Sequence, residues 1–203
     1  MSANTSKGNV ETVKAIEYFS RALKAPRIRE AAARLGEQAR ESSWTHEEYL
    51  AAVLSREVSA REASGAELRI RGAGLPGRKS LEDFNFDHQP ALNRETIAHL
   101  STATFIDQAR NLVLLGPPGT GKTHLAIGLG IKAAHAGHRV LFATATEWVT
   151  RLQSAHQGGR LASELTRLAR YGLIIVDLCR YRDYAEGRAL RFAEVLNRGP
   201  FAV

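Results

Sequence analysis

The sequence predicts an α/β fold, a parallel sheet with flanking helices, preceded by a small all-helical domain. Three observations carry this. Apolar residues recur at helical spacing from Val10 to Val58. From Asn111 the pattern changes to short continuous apolar runs, "NLVLLG", "HRVLFATA" and "LIIVD", separated by helical stretches. Between the first run and the helix after it stands "GPPGTGKT", residues 116–123. Strands that alternate with helices predict parallel pairing through crossovers.

Residues 1–9 are polar and expected to fray. Val10, Val13, Ile16, Phe19 and Leu23 set the stripe of a first helix. Pro26 opens a second, because a first helical turn does not need the N–H that proline lacks; it runs to about Arg40. Thr45 with Glu48 fits a capping box, with Trp44 placed to staple onto the first turn of a third helix. Its expected apolar stripe is Tyr49, Leu50, Val53, Leu54 and Val58. Residues 1–68 thus form a helical domain. Residues 69–92 hold glycines and prolines with turn chemistry and read as a basic connector, with Arg69, Arg71, Arg78 and Lys79. Residues 93–177 form the sheet-bearing core, starting with a short helix over about 93–108. Residues 178–203 are a tail of different character, rich in arginine.

The bulk numbers exclude several classes. The single cysteine, Cys179, permits neither a disulfide framework nor a CxxC zinc site. No apolar run reaches the ~20 residues of a membrane span, and the N-terminus lacks the apolar core of a signal peptide. A cytoplasmic protein is expected. Net charge is +7, with residues 111–203 carrying 12 Lys/Arg against 6 Asp/Glu. That half is suited to phosphates, DNA among them. The seven histidines show no metal-ligand spacing, and no GxSxG elbow marks a serine hydrolase.

"GPPGTGKT" fits GxxxxGK[ST], the phosphate-binding loop of nucleotide-binding proteins. Glycines allow positive φ and aim successive N–H groups inward. Those groups and the helix N-terminus hold phosphate oxygens. The candidate nucleotide-binding residues are Gly116, Pro117, Pro118, Gly119, Thr120, Gly121, Lys122, Thr123 and His124. Lys122 is expected at the β- and γ-phosphates and the Thr123 hydroxyl at Mg²⁺. "LIIVD" stands at the distance of a Walker B strand, so Asp177 is expected to hold the same Mg²⁺ through water. The ligands predicted are ATP and Mg²⁺.

The stretch "NLVLLGPPGTGKTHLAIGLGIKAAHAGHRVLFATATEWVTRL" resembles the ATP-binding helper proteins of IS21-type transposons, called IstB-like. "RALKAPRIREAAARLGEQARESSWTHEEYLAAVLSREVSARE" and "RIRGAGLPGRKSLEDFNFDH" are similar to that family's helical N-terminal domain and linker. The resemblance runs from about Phe19 to Asp177. It implies a partial AAA+ P-loop NTPase, related to the DnaC helicase loader. It implies a protein that binds ATP, forms ATP-dependent homo-oligomers on DNA without sequence preference, and acts with the transposase of the same element. In that family the linker "KSLEDFNF" lies beside the adenine, which makes Phe84 and Phe86 candidates for the base pocket; ordinary core packing is the competing reading.

After Asp177 the family pattern fades. The family continues with a glutamate, and here Leu178 stands in its place. Leucine can neither accept a proton from water nor hold it in line, so hydrolysis is expected to be impaired and no catalytic residue is assigned. The resemblance implies a member truncated or frameshifted at its C-terminal end. In AAA+ sheets the phosphate-loop strand sits between strands late in sequence, so that strand is expected to have an unpaired apolar edge. Two other functions stay open: a non-enzymatic, partner-binding relic with a vestigial nucleotide site, and a DnaC-like helicase loader.

Overall fold

The computed structural model describes residues 3–178, with side chains from residue 10 onward. The chain forms two compact units that divide between Ser64 and Gly65.

The first unit is helical. α1 spans Ala3–Ala22, so the polar residues expected to fray are helical from Ala3. α2 spans Pro26–Glu41 with Pro26 at its first position. α3 begins at His46 and runs to Gly72, crossing the division. Its start is the predicted capping box: Thr45 N–H donates to Glu48 Oε2 at 2.7 Å, and Glu48 N–H to Thr45 Oγ1 at 3.2 Å. Trp44 and Tyr49, on either side of this cap, both pack against the core of Ala31, Leu35 and Val53. The Tyr49 hydroxyl also donates to the Ala32 carbonyl at 3.0 Å.

The predicted stripe on α3 needs correction. Val53 is buried, but Leu50, Leu54 and Val58 are exposed. A charged residue, Glu57, is buried instead. Its carboxylate accepts from Arg27 N–H at 2.9 Å and Arg61 Nε at 2.6 Å. Arg61 in turn donates through Nη2 to the carbonyls of Leu23 and Lys24 at 3.2 and 2.8 Å. Ala25, the N-cap of α2, supplies no side-chain bond of its own. One ion pair from α3 therefore satisfies the start of α2 and the turn that follows α1. A buried charge persists only when paired and hydrogen-bonded in this way.

This pairing makes stability pH-dependent. The Arg61 guanidinium holds the Glu57 carboxyl below the usual carboxylate range. Arg167, and after it Arg151, does the same to Glu164, and Lys132 brings Glu82 down to about 2. A carboxylate with a depressed folded-state pKa contributes stability above its unfolded pKa and loses it as pH falls through the folded one. These three groups should thus add no slope to stability near neutrality. Urea midpoints should drop progressively below about pH 4.5, the last of the Glu82 share going near pH 2. Glu82 is the most exposed of the three and should contribute least. Glu57→Gln should lose stability at pH 7 and show a shallower acid slope; an unchanged slope would remove Glu57 from the account.

The second unit holds the sheet. The end of α3, through Gly72, belongs to it, so Arg69 and Arg71 are helical rather than part of a connector. Arg69 Nε donates to the Ala134 carbonyl at 2.7 Å. A 3₁₀ turn follows at Phe86–His88. The helix expected over 93–108 is two helices, α4 (Arg94–Ser101) and α5 (Thr104–Asp107), broken at Ala103, where φ is 61°. Then come α6 (Lys122–His135), β1 (Val140–Thr144), α7 (Ala145–Gln157), α8 (Leu161–Leu168) and β2 (Leu173–Asp177).

β1 and β2 pair in parallel, as predicted, with Val140 beside Leu173 and Thr144 beside Asp177. The core beneath them gathers Ile70, Ala73, Ile127, Ala133, Val140, Phe142 and Ile175. α6 ends in a Schellman motif: His138 N–H donates to the Ala133 carbonyl and Gly137 N–H to that of Ala134, with Gly137 at φ 102°. This turns the chain directly into β1. Thr144 closes β1 and opens α7 through a capping box with Glu147. Trp148 Nε1 then donates to the Ile175 carbonyl of β2 at 3.4 Å.

One predicted strand is not formed. "NLVLLG" joins no ladder among the described residues, and the sheet there has two strands. Leu114 packs inward, but Val113 and Leu115 are 67% and 87% exposed. An apolar run states a demand for burial. It becomes a strand only when its N–H and C=O groups meet a partner. β1 and β2 pair with each other, and Phe142 N–H of β1 goes to the Ala73 carbonyl at 2.7 Å. The edge expected on this strand is therefore not formed as such; what the described residues show instead is an irregular segment with exposed apolar side chains at Val113 and Leu115.

Candidate functional site

The site is built where α6 begins, at the carboxyl end of β2. Gly119 and Gly121 adopt φ of 81° and 84°, conformations that cost an L-residue with a Cβ about 1–2 kcal/mol. Gly121 is the N-cap of α6. Its positive φ swings the loop so that the helix can start at Lys122. The first N–H groups of a helix have no partner within it, and they point out of its N-terminus together with the positive end of the helix dipole. A turn with this backbone, leading into a helix N-terminus, can cradle an anion.

Side chains within the loop organise it further. Thr120 Oγ1 donates to the Pro117 carbonyl at 2.9 Å. Lys122 Nζ reaches back along the loop and donates to the carbonyls of Gly116 and Pro117 at 2.8 and 2.6 Å. Its ammonium group is thus folded back onto the loop's own carbonyls, within one side-chain swing of an anion held by the turn.

Fifty-four positions separate Thr123 from Asp177, and the fold joins them. Thr123 Oγ1 stands 3.3 and 3.2 Å from the two carboxylate oxygens of Asp177. A hydroxyl and a carboxylate are hard oxygen donors, the type that suits Mg²⁺, which retains waters and takes few protein ligands. The donor set fits that ion. Among the described residues no group of three or more His, Cys, Asp or Glu could hold a metal by itself. A site of this kind takes its remaining ligands from phosphate and water. Leu178, the residue after Asp177, is exposed at the end of β2.

His124 is half-buried rather than on the helix surface. Its Nε2 lies 2.7 Å from the Ser80 carbonyl, which can only accept, so Nε2 carries the proton. The ring also meets Phe84 edge to face at 5.3 Å. What His124 offers a phosphate is therefore its backbone N–H, while its side chain holds the segment before α4. Phe84 is 8% exposed and packs with Leu81, Ile97, Leu125 and Leu129. Its ring is wedged against Phe86 and Gly121. Core packing accounts for Phe84. Phe86 is partly buried, with the Arg94 guanidinium 5.0 Å over its ring. Ser80 is the site residue that sequence reasoning missed. The one local signal was its Ser-x-x-Asp spacing to Asp83, which forms a turn here with Ser80 Oγ donating to the Asp83 carboxylate at 2.8 Å.

No helix among the described residues is long and apolar enough to cross a membrane. Comparison with known proteins agrees with the geometry. The chain is 40% identical over 162 residues to the "Insertion sequence IS21 putative ATP-binding protein" of Pseudomonas aeruginosa, covering 80% of this chain and 61% of that one. It is 33% identical over 182 residues to the "Insertion sequence IS5376 putative ATP-binding protein" of Geobacillus stearothermophilus, covering 90% and 72%. With a Sinorhizobium fredii relative, a "Putative insertion sequence ATP-binding protein", identity is 32%, covering 83% and 57%. The chain thus spans roughly three fifths to three quarters of the length of these relatives. The sequence model of the IstB-like ATP binding protein family matches residues 19–199, starting at Phe19 and extending beyond Asp177. The chain belongs to the IstB-like ATP binding protein family.

Proposed function

We propose that this protein binds Mg-ATP through residues 116–124, with Thr123 and Asp177 as its contribution to the Mg²⁺ site, and serves as an ATP-binding helper of DNA transposition. The contact of Thr123 Oγ1 with both Asp177 oxygens is the observation that carries the reading. A chance Gly/Pro turn between an apolar run and a helix has no reason to place the hydroxyl after its lysine against the terminal aspartate of a distant strand. The role in transposition rests on the relatives, which are named as ATP-binding proteins of insertion sequences.

In this reading residues 93–177 are the ATP-binding core, 73–92 the linker left once α3 ends at Gly72, the helices before it an N-terminal domain, and 178–203 a divergent tail. The protein acts with the transposase of its element, on DNA without sequence preference, as an ATP-dependent homo-oligomer, and a cytoplasmic location follows from that role. The net charge of +7 supports the DNA part.

Within the bound state each residue has a defined task. Backbone N–H groups of the loop hold phosphate oxygens, and Lys122 neutralises their charge once its ammonium leaves the loop carbonyls. Bound Mg²⁺ supplies charge neutralisation on the phosphates. Asp177 and Thr123 fix where it sits. The exposed Leu178 after Asp177 favours nucleotide binding with little turnover, since no carboxylate there orients water. A titration with fluorescent ATP tests the site. Wild type should bind more tightly with Mg²⁺ than with EDTA. Asp177→Asn and Thr123→Val should each reduce that Mg²⁺ dependence about tenfold, one removing a charge and the other a hydroxyl at similar volume. Equal Mg²⁺ dependence in both variants would overturn the assignment. Leu178→Glu should raise the rate of phosphate release if the missing acid is what limits turnover.

A further inference from the structure

Residues 80–86 lie along one face of α6 and touch it at four keyed positions. The Ser80 carbonyl accepts a hydrogen bond from His124 Nε2 at 2.7 Å. Leu81 sits so close to Gly128 that a Cβ there would lie 2.5 Å from its Cδ2. Glu82 meets Lys132 Nζ at 2.6 Å. Phe84 covers Gly121, where a Cβ would lie 2.6 Å from its ring. Positions 121, 124, 128 and 132 recur at three- and four-residue steps, the spacing of one helix face. Two of the four contacts, at Gly121 and His124, fall on the phosphate-binding turn itself.

From this we infer that residues 80–86 form a strap that positions the phosphate loop, with His124 and Phe84 as positioning residues that set nucleotide affinity. This rests on the nucleotide-binding reading and adds a regulatory element to it. Gly121 is left-handed, and the Phe84 ring occupies the space its Cβ would need, so the ring stands directly against the turn. The His124–Ser80 bond ties the first turn of α6 to the strap. Coupling runs both ways by thermodynamic necessity: a strap that tightens the loop for ATP is itself tightened by ATP. Arg78 and Lys79 directly precede the strap, which places two trypsin sites at its hinge.

The full chain can be tested by pairing fluorescent-ATP titration with limited trypsin digestion, following cleavage after Arg78 and Lys79 by mass. Mg-ATP should slow that cleavage several-fold in wild type and leave it unchanged in Lys122→Ala. His124→Ala should speed cleavage without nucleotide and weaken ATP binding about tenfold, the worth of one well-placed hydrogen bond and the order it imposes. His124→Gln keeps a side-chain N–H donor and should recover most of both effects, which general destabilisation would not do. Phe84→Leu should weaken ATP binding with a retained cooperative melt. If wild type fails to bind fluorescent ATP, the nucleotide reading itself falls. If wild type binds while His124→Ala binds equally well and ATP leaves the cleavage rate unchanged, the strap inference falls and the nucleotide reading stands.

Discussion

Lys122→Ala should abolish the stabilisation of this protein by Mg-ATP. A ligand at ~100 times its dissociation constant stabilises the folded state by about 2.7 kcal/mol, a rise in Tm of about 5–10 °C for a chain of this size. Lys122 makes charge-assisted bonds to phosphate in the proposed complex, and losing them should weaken binding about a hundredfold. At the same ATP concentration the remaining stabilisation is about 0.4 kcal/mol, close to the limit of a thermal melt. Without nucleotide the two proteins should melt alike, because the present partners of Nζ are the exposed loop carbonyls of Gly116 and Pro117. The comparison therefore separates binding from folding. A wild type whose melt ignores Mg-ATP would overturn the proposed function, and a variant that responds like wild type would remove Lys122 from the site.

The site was legible because its chemistry is local. Glycines with positive φ, a lysine and a hydroxyl residue must follow one another for the turn to exist, so "GPPGTGKT" carries its own geometry. Asp177 was legible because a parallel strand beside a phosphate loop ends at the ligand side of the sheet. What the sequence could not state was partnership. "NLVLLG" has the composition of a buried strand, yet Val113 and Leu115 are exposed because no described strand lies beside them. The stripe on α3 misled for a related reason. Leu50, Leu54 and Val58 have helical spacing, but α3 turns Val53 and the Glu57–Arg61 pair toward its neighbours in the helical unit. Glu57 and Arg61 read in sequence as an ordinary surface pair one turn apart. Only the fold shows that they cap two other segments. The side-chain role of His124 is likewise invisible in sequence, since its partner Ser80 lies 44 positions earlier.

Gly121→Ala should be the most costly single-methyl change in the second unit. Two effects add. The left-handed backbone, φ 84°, costs an alanine about 1–2 kcal/mol. The new Cβ would then stand 2.6 Å from Phe84 Cε2 and 3.2 Å from its Cζ. That ring cannot retreat easily, since Phe86 and His124 meet it edge to face at 4.9 and 5.3 Å. Overpacking of this kind costs about 1–3 kcal/mol, so the total is about 2–5 kcal/mol, read from urea unfolding at pH 7. Gly119→Ala is the internal control. Gly119 has nearly the same φ, 81°, but open space around its missing Cβ, so it should lose only the backbone part, about 1–2 kcal/mol. The difference between the two variants isolates the contact with Phe84. Adding Phe84→Leu to Gly121→Ala should then cost less than the sum of the single changes by about 1–2 kcal/mol, because the double variant removes the ring the methyl strikes. Strict additivity would mean that backbone strain carries the whole effect, and that Phe84 is a neighbour of the phosphate loop without being its wall.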